Sequence, residues 1–159
     1  MHSADLQKAA ELLGAMRELE LAIEQFYVAC AAAFGAEAPF WQAIASQEHE
    51  HAETLARIVD LVAENPERYS WGRLFQLAAV ATMVAGVRTN TDRLQRGELT
   101  QTAALALARD YERSILESRY EQVLQTDDAV YTSLVRKIVE DTKAHRSSIE
   151  HRVASLRKP

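Results

Sequence analysis

"QEHEHAETLARI", Gln47–Ile58, places two glutamates and two histidines side by side and then continues as an apolar helix. Such a stretch is either a solvated charge cluster or a set of ligands facing inward. Glu48 and His51 stand three residues apart, which puts both on one helix face. Five histidines and 23 acids in 159 residues give roughly 0.7 acid-x-x-His pairs by chance, so the spacing alone decides nothing. The neighbouring positions and the other helices must carry the reading.

The helix holding this stretch begins near Pro39, a residue suited to a first turn, and runs to about Glu64. Asn65 precedes Pro66 and is thereby pushed out of the helical region. Before it, a first helix is predicted from about Ala4 to Phe34, stopped at Gly35. After it, Ser70 is a candidate cap for a connecting helix from about Trp71 to Gln95. Gly97 breaks the chain, and Thr100 can cap a third long helix over about Gln101–Gln125. In "TDD", Asp127 or Asp128 caps a fourth, about Ala129–Leu156.

Only five glycines and three prolines interrupt a chain rich in good helix formers, with no sustained period-2 alternation. The fold class read from this is all-α, a single domain over residues 1–159. Short loops make helices one and two, and three and four, antiparallel neighbours. The long middle connection crosses the bundle and contains an extra helix, the ferritin-like four-helix arrangement with one long crossover. A duplication of the helix pair is hinted at, with no strong residue-level repeat.

Composition narrows the function. A net charge of −5 argues against a nucleic-acid partner. One cysteine, Cys30, excludes a disulfide within the chain and an iron–sulfur or zinc ribbon of CxxC type. No signal-peptide pattern opens the sequence, and the longest nearly apolar stretch, Leu74–Val87, falls short of a membrane span. The expectation is a cytoplasmic protein with no membrane role. Trp71 and the apolar face of that stretch either cover the bundle or form a homodimer patch, giving a homo-oligomer.

Followed at steps of three and four, each core seam is apolar with a few polar breaks. Helix two reads Trp41, Ile44, Glu48, His51, Leu55, Ile58, Val62. Helix one reads Ala9, Leu13, Met16, Glu20, Ile23, Tyr27, Cys30, Phe34. Helix three reads Leu105, Ala108, Glu112, Leu116, then Tyr120 or Val123. Helix four reads Tyr131, Val135, Ile138, Thr142, His145, Ile149, Val153, Leu156. By contrast His49, Glu50 and Glu53 are expected to face water. The breaks also share a level: Glu20 lies 16 residues before the first turn and His51 15 after it, Glu112 15 before the second turn and Thr142 15 after it. Facing carboxylates in an apolar seam must lose hydration while they repel one another. No lysine or arginine occupies these seams, so a divalent cation is the direct remedy, and carboxylate with imidazole suits iron, manganese or zinc. Tyr27 reads either as a core tyrosine or as a hydrogen-bond donor to a ligand carboxylate.

The pieces "ELAIEQFY", "EHEHAETL", "YERSILESRYEQVL" and "EDTKAHRSSI" together resemble the rubrerythrin-like branch of the ferritin-like superfamily, over nearly the whole chain. The resemblance implies two metal ions, usually iron, held by Glu from helices one and three and by Glu-x-x-His from helices two and four. Glu20, Glu48, His51, Glu112 and His145 match; Thr142 stands where the sixth ligand, a glutamate, belongs. Asp141 resembles the outer group that holds the ring N–H of the opposite histidine, here His51, or it substitutes as a ligand. Three carboxylates under-neutralise two divalent ions, so the second ion is expected to bind more weakly unless Asp141, Glu24 or a hydroxide helps. The implied activity is an oxidoreductase acting on peroxide or oxygen, or an iron-binding ferroxidase. With no rubredoxin domain in the chain, electrons would come from a separate donor protein. The alternative is a ferritin-like scaffold with a degenerate site, serving as a binding module.

Overall fold

Helix-forming stretches with few breakers become five helices in the computed structural model, which describes residues 3–72, 76–118 and 120–156. They are α1 (Ser3–Ala33), α2 (Ala38–Glu64), α3 (Leu77–Gln95), α4 (Gln101–Ser118) and α5 (Ala129–Leu156). Two three-residue strands, β1 (Tyr69–Trp71) and β2 (Leu124–Thr126), complete the order between α2 and α3 and between α4 and α5. Pro39 sits in the first turn of α2, and Asn65 leaves the helix at φ −136°, ψ 57° ahead of Pro66. Thr100 caps α4, its Oγ1 accepting from the Ala103 N–H at 3.2 Å. Of the two candidate aspartates it is Asp128 that caps α5, accepting from the N–H groups of Val130 (2.8 Å) and Tyr131 (3.3 Å).

Two expected boundaries move. The connecting helix does not begin at Trp71: Ser70, offered as its cap, and Trp71 belong to β1, residues 73–75 lie outside the described residues, and α3 starts at Leu77. Helix three does not reach Gln125. It ends at Ser118 and gives way to a 3-10 turn, Tyr120–Gln122, and then β2. The cause is a non-local pairing. β1 and β2 form an antiparallel ribbon with Tyr69 opposite Thr126, Ser70 opposite Gln125 and Trp71 opposite Leu124. The Gly72 N–H extends it to the Val123 carbonyl at 3.0 Å. Aromatic and β-branched residues favour such a ribbon once a partner strand is present.

α2 folds back along α1 and α5 packs along α4, while the crossover helix α3 lies against α1. Val80, Val84, Val87, Thr91 and Leu94 form the buried face of α3, so this part of the apolar stretch covers the bundle; Leu77 stays exposed. No single helix among the described residues is long and apolar enough to cross a membrane. Most of the expected seam positions are buried. At the edges Leu116 is half-buried and Ile115 takes its inner place, Phe34 is half-buried, and Leu156 is exposed.

Candidate metal centre

Four helices bring six polar residues to the interior. Glu20 comes from α1, Glu48 and His51 from α2, Glu112 from α4, and Thr142 and His145 from α5; none is more than 3 % exposed. Glu48 sits between the histidines. Its Oε2 is 3.1 Å from His51 Nδ1 and its Oε1 is 2.7 Å from His145 Nδ1. Glu20 Oε2 reaches within 4.0 Å of His51 Nδ1, and Glu112 Oε1 within 3.7 Å of His145 Nδ1. The imidazoles stack with centroids 5.7 Å apart. The result is two triads that share one carboxylate: Glu20, Glu48 and His51, and Glu48, Glu112 and His145. Within each, potential ligand atoms all lie within 4.8 Å of one another.

The outer ring nitrogens are held from behind. His51 Nε2 faces Asp141 Oδ2 at 3.2 Å, the place the resemblance assigns to Asp141. His145 Nε2 faces Gln47 Oε1 at 2.7 Å. A proton on each Nε2 leaves the Nδ1 lone pair aimed at the shared carboxylate, the tautomer a metal ligand needs. Sequence reasoning passes over Gln47. The signal was present: Gln47 precedes His51 by four residues, as Asp141 precedes His145. Each grips the histidine of the other helix, so the two helix pairs are related by a local two-fold in function. Glu20 matches Glu112, His51 matches His145, and Gln47 matches Asp141. The match fails at Glu48, whose mate is Thr142.

Tyr27 donates to Glu112 Oε1 at 2.5 Å, which settles its open reading toward a carboxylate contact. Tyr120 is its buried counterpart, with its hydroxyl close to Glu20 but short of an aligned hydrogen bond. Thr142 gives its hydroxyl proton to the Ile138 carbonyl of its own helix at 2.8 Å. Glu24 pairs with His49 at 3.2 Å and belongs to neither triad. His49, Glu50 and Glu53 face water as expected.

Seven buried side-chain polar atoms among the described residues lack a hydrogen-bond partner, and five of them belong to this cluster: both oxygens of Glu20, Glu48 Oε1, Glu112 Oε2 and His145 Nδ1. Glu48 Oε1 and His145 Nδ1 are close but not aligned to bond each other. Each such group costs about 1–3 kcal/mol. The 2.7 Å ion pair of Glu48 Oε1 with His145 Nδ1 offsets part of this, and the remainder is still a sizeable share of a domain's total stability, about 5–15 kcal/mol. No lysine or arginine among the described residues pairs with Glu20, Glu48 or Glu112; their ionic partners are His51 and His145.

Protons must then compensate when no cation does. Burial, reinforced by the charges of Glu48 and Glu112, lifts Glu20 well above the usual carboxylate range. Burial and the Glu48 charge push Glu112 up to about 7. Burial also works against the Glu48 anion, but the His145 and His51 rings set against its two oxygens outweigh it and hold the group at about 2. For His145, burial favours the neutral ring, and Glu112 and Glu48 outweigh it, raising the imidazole to about 10. The cluster therefore draws positive charge, as protons or as a cation.

Searches of protein-family models, curated proteins and solved structures return no match to this chain.

Proposed function

We propose that this chain is a ferritin-like, rubrerythrin-like bundle that binds two divalent metal ions, iron foremost and manganese or zinc as alternatives, and acts as an oxidoreductase on peroxide or oxygen, or as a ferroxidase on ferrous iron. The observation that carries the reading is Glu48: one fully buried carboxylate offers an oxygen to each of two histidines, and unpartnered polar atoms surround it. Hard oxygens with borderline imidazoles fit iron, manganese and zinc. Glu20 and His51 would hold one ion, Glu112 and His145 the other, with Glu48 shared between them. Iron bound there supplies the one-electron steps that peroxide or oxygen chemistry requires. The chain's own residues do the rest. Asp141 and Gln47 fix the imidazole tautomers, and Tyr27 anchors Glu112. A centre buried to this degree excludes bulky organic substrates and favours small ones. With its one cysteine buried, the bundle carries no cysteine-ligated redox centre of its own, and on this reading a separate donor protein supplies the electrons for peroxide reduction.

Thr142 favours a second reading. The fourth carboxylate is missing and the threonine hydroxyl is committed to Ile138. In that reading protons satisfy the cluster, and the bundle is a scaffold with one metal or none. Metal analysis of protein from iron-supplemented cells separates the two. We expect about two ions per chain, lost in Glu48→Ala. Fewer than one ion per wild-type chain would leave the scaffold as the better account.

A further inference from the structure

We propose that the half of the site built on His51 is the tighter cation subsite, and that the residues behind the two imidazoles, Asp141 and Gln47, set that order. This rests on the metal-binding reading above and adds which half fills first and why.

The two halves are matched in their inner donors: each has one terminal glutamate, one histidine Nδ1 and one oxygen of Glu48. Their backing differs. Behind His51 stands a carboxylate, Asp141; behind His145 stands a neutral amide, Gln47. A carboxylate accepting the outer N–H makes the imidazole a more basic ligand and adds a negative charge near the cation, whereas an amide fixes the tautomer only. Lys137 Nζ lies 2.7 Å from Asp141 and offsets part of that charge, but Lys137 is half exposed and also reaches toward Glu50, so water screens it. The terminal carboxylates are backed more evenly: Glu112 accepts from the Tyr27 hydroxyl, and Glu20 has the Tyr120 hydroxyl close by, so the contrast lies behind the imidazoles. One contact opposes entry on the His51 side, its own Nδ1 bond to Glu48 Oε2 at 3.1 Å. Moving the ring proton to Nε2, toward Asp141, frees Nδ1, so the same aspartate removes the obstacle.

The test uses Mn2+ alone as the probe, followed by calorimetry and by the paramagnetic resonance of the unbound ion. The wild type is expected to bind in two resolved steps. His145→Ala keeps the tight step and His51→Ala removes it. Two isosteric exchanges then move the charge. Asp141→Asn weakens the tight step by about 10–100-fold, and Gln47→Glu strengthens the weak one. In the Gln47→Glu/Asp141→Asn double variant the order inverts, so that His145→Ala now removes the tight step. A merely structural role for the two residues would weaken both steps and invert nothing. Circular dichroism confirms that each variant is folded. A tight step that is lost in His145→Ala but kept in His51→Ala in the native background overturns the inference, as does an order indifferent to the exchange. A wild type that takes up no Mn2+ overturns the metal-binding reading itself, and this inference with it.

Discussion

Thr142 occupies the position that the local two-fold pairs with Glu48, and its interior setting defines what a substitution there does. Thr142→Glu would supply a fourth carboxylate to a cluster that already holds three. Without cations that is a further buried charge, and the melting temperature is expected to fall. With Mn2+ present, four carboxylates balance two divalent ions, and the weaker binding step is expected to tighten by roughly an order of magnitude or more. Thermal melts with and without the ion check both signs together; a variant equally destabilised in each would count against the shared site. Tyr27→Phe probes the opposite kind of contact. It strands Glu112 Oε1 without its 2.5 Å donor, an expected loss of about 1–3 kcal/mol in the cation-free protein by denaturant titration. At this scale the sequence was legible where polar residues interrupt an apolar seam, because burial of Glu20, Glu48, Glu112, His51 and His145 demands a reason. Gln47 was not legible by that test. It is half-buried at the seam's margin, where a glutamine is indistinguishable from an ordinary solvated residue until the opposite helix is in place.

The ribbon between the helix pairs is where elements, not single ligands, are joined. Asp128 caps α5 and also accepts from the Tyr69 hydroxyl at 2.9 Å and from Arg68 at 3.1 Å, so one carboxylate ties the start of α5 to the segment that leads from α2 into β1. Tyr69→Phe removes one of these contacts and is expected to cost about 0.5–1.5 kcal/mol. Asp128→Ala removes the cap and both tertiary contacts, so its melting temperature should lie below that of Tyr69→Phe. Gly72 is stricter still. A Cβ there would collide with the Gln122 carbonyl oxygen, a backbone atom that cannot rotate away. Gly72→Ala should therefore open the ribbon, read as faster amide hydrogen exchange at Trp71 and Leu124, whereas an unchanged exchange pattern would contradict the close approach. The helix lengths were legible because Gly, Pro, Thr100 and Asp128 punctuate them locally. The ribbon was not, because each strand is three residues long and its partner lies more than fifty residues away; Tyr120 in the 3-10 turn and Val123 in the bend before β2 are buried just as a continued helix would bury them.

For the whole molecule, the proposed metal site would couple cation binding to pH. In the cation-free protein Glu112 rises to about 7 and His145 to about 10, the first through burial and the Glu48 charge, the second because Glu112 and Glu48 outweigh burial. Both values lie above those of the unfolded chain, about 4.3 for Glu and about 6.5 for His. The folded state then binds more protons than the unfolded state, so stability falls as pH rises: through about pH 4.3 to 7 for Glu112 and about pH 6.5 to 10 for His145. Glu48 has the opposite sign. Its folded value of about 2 makes its contribution complete above the ordinary carboxylate range and lost only in acid. On the proposed reading, cations bound there would take the place of the protons on Glu112 and His145, and their affinity would grow over the interval in which those protons leave. The difference in melting temperature between Mn2+-loaded and chelator-treated protein should therefore widen from about pH 6 to about pH 8. The chelated form should decline steadily across that range while the loaded form holds. A gap that is constant with pH would mean that the protons and the ion do not compete for the same atoms, and that the buried carboxylates of α1, α2 and α4 are compensated by something other than a metal.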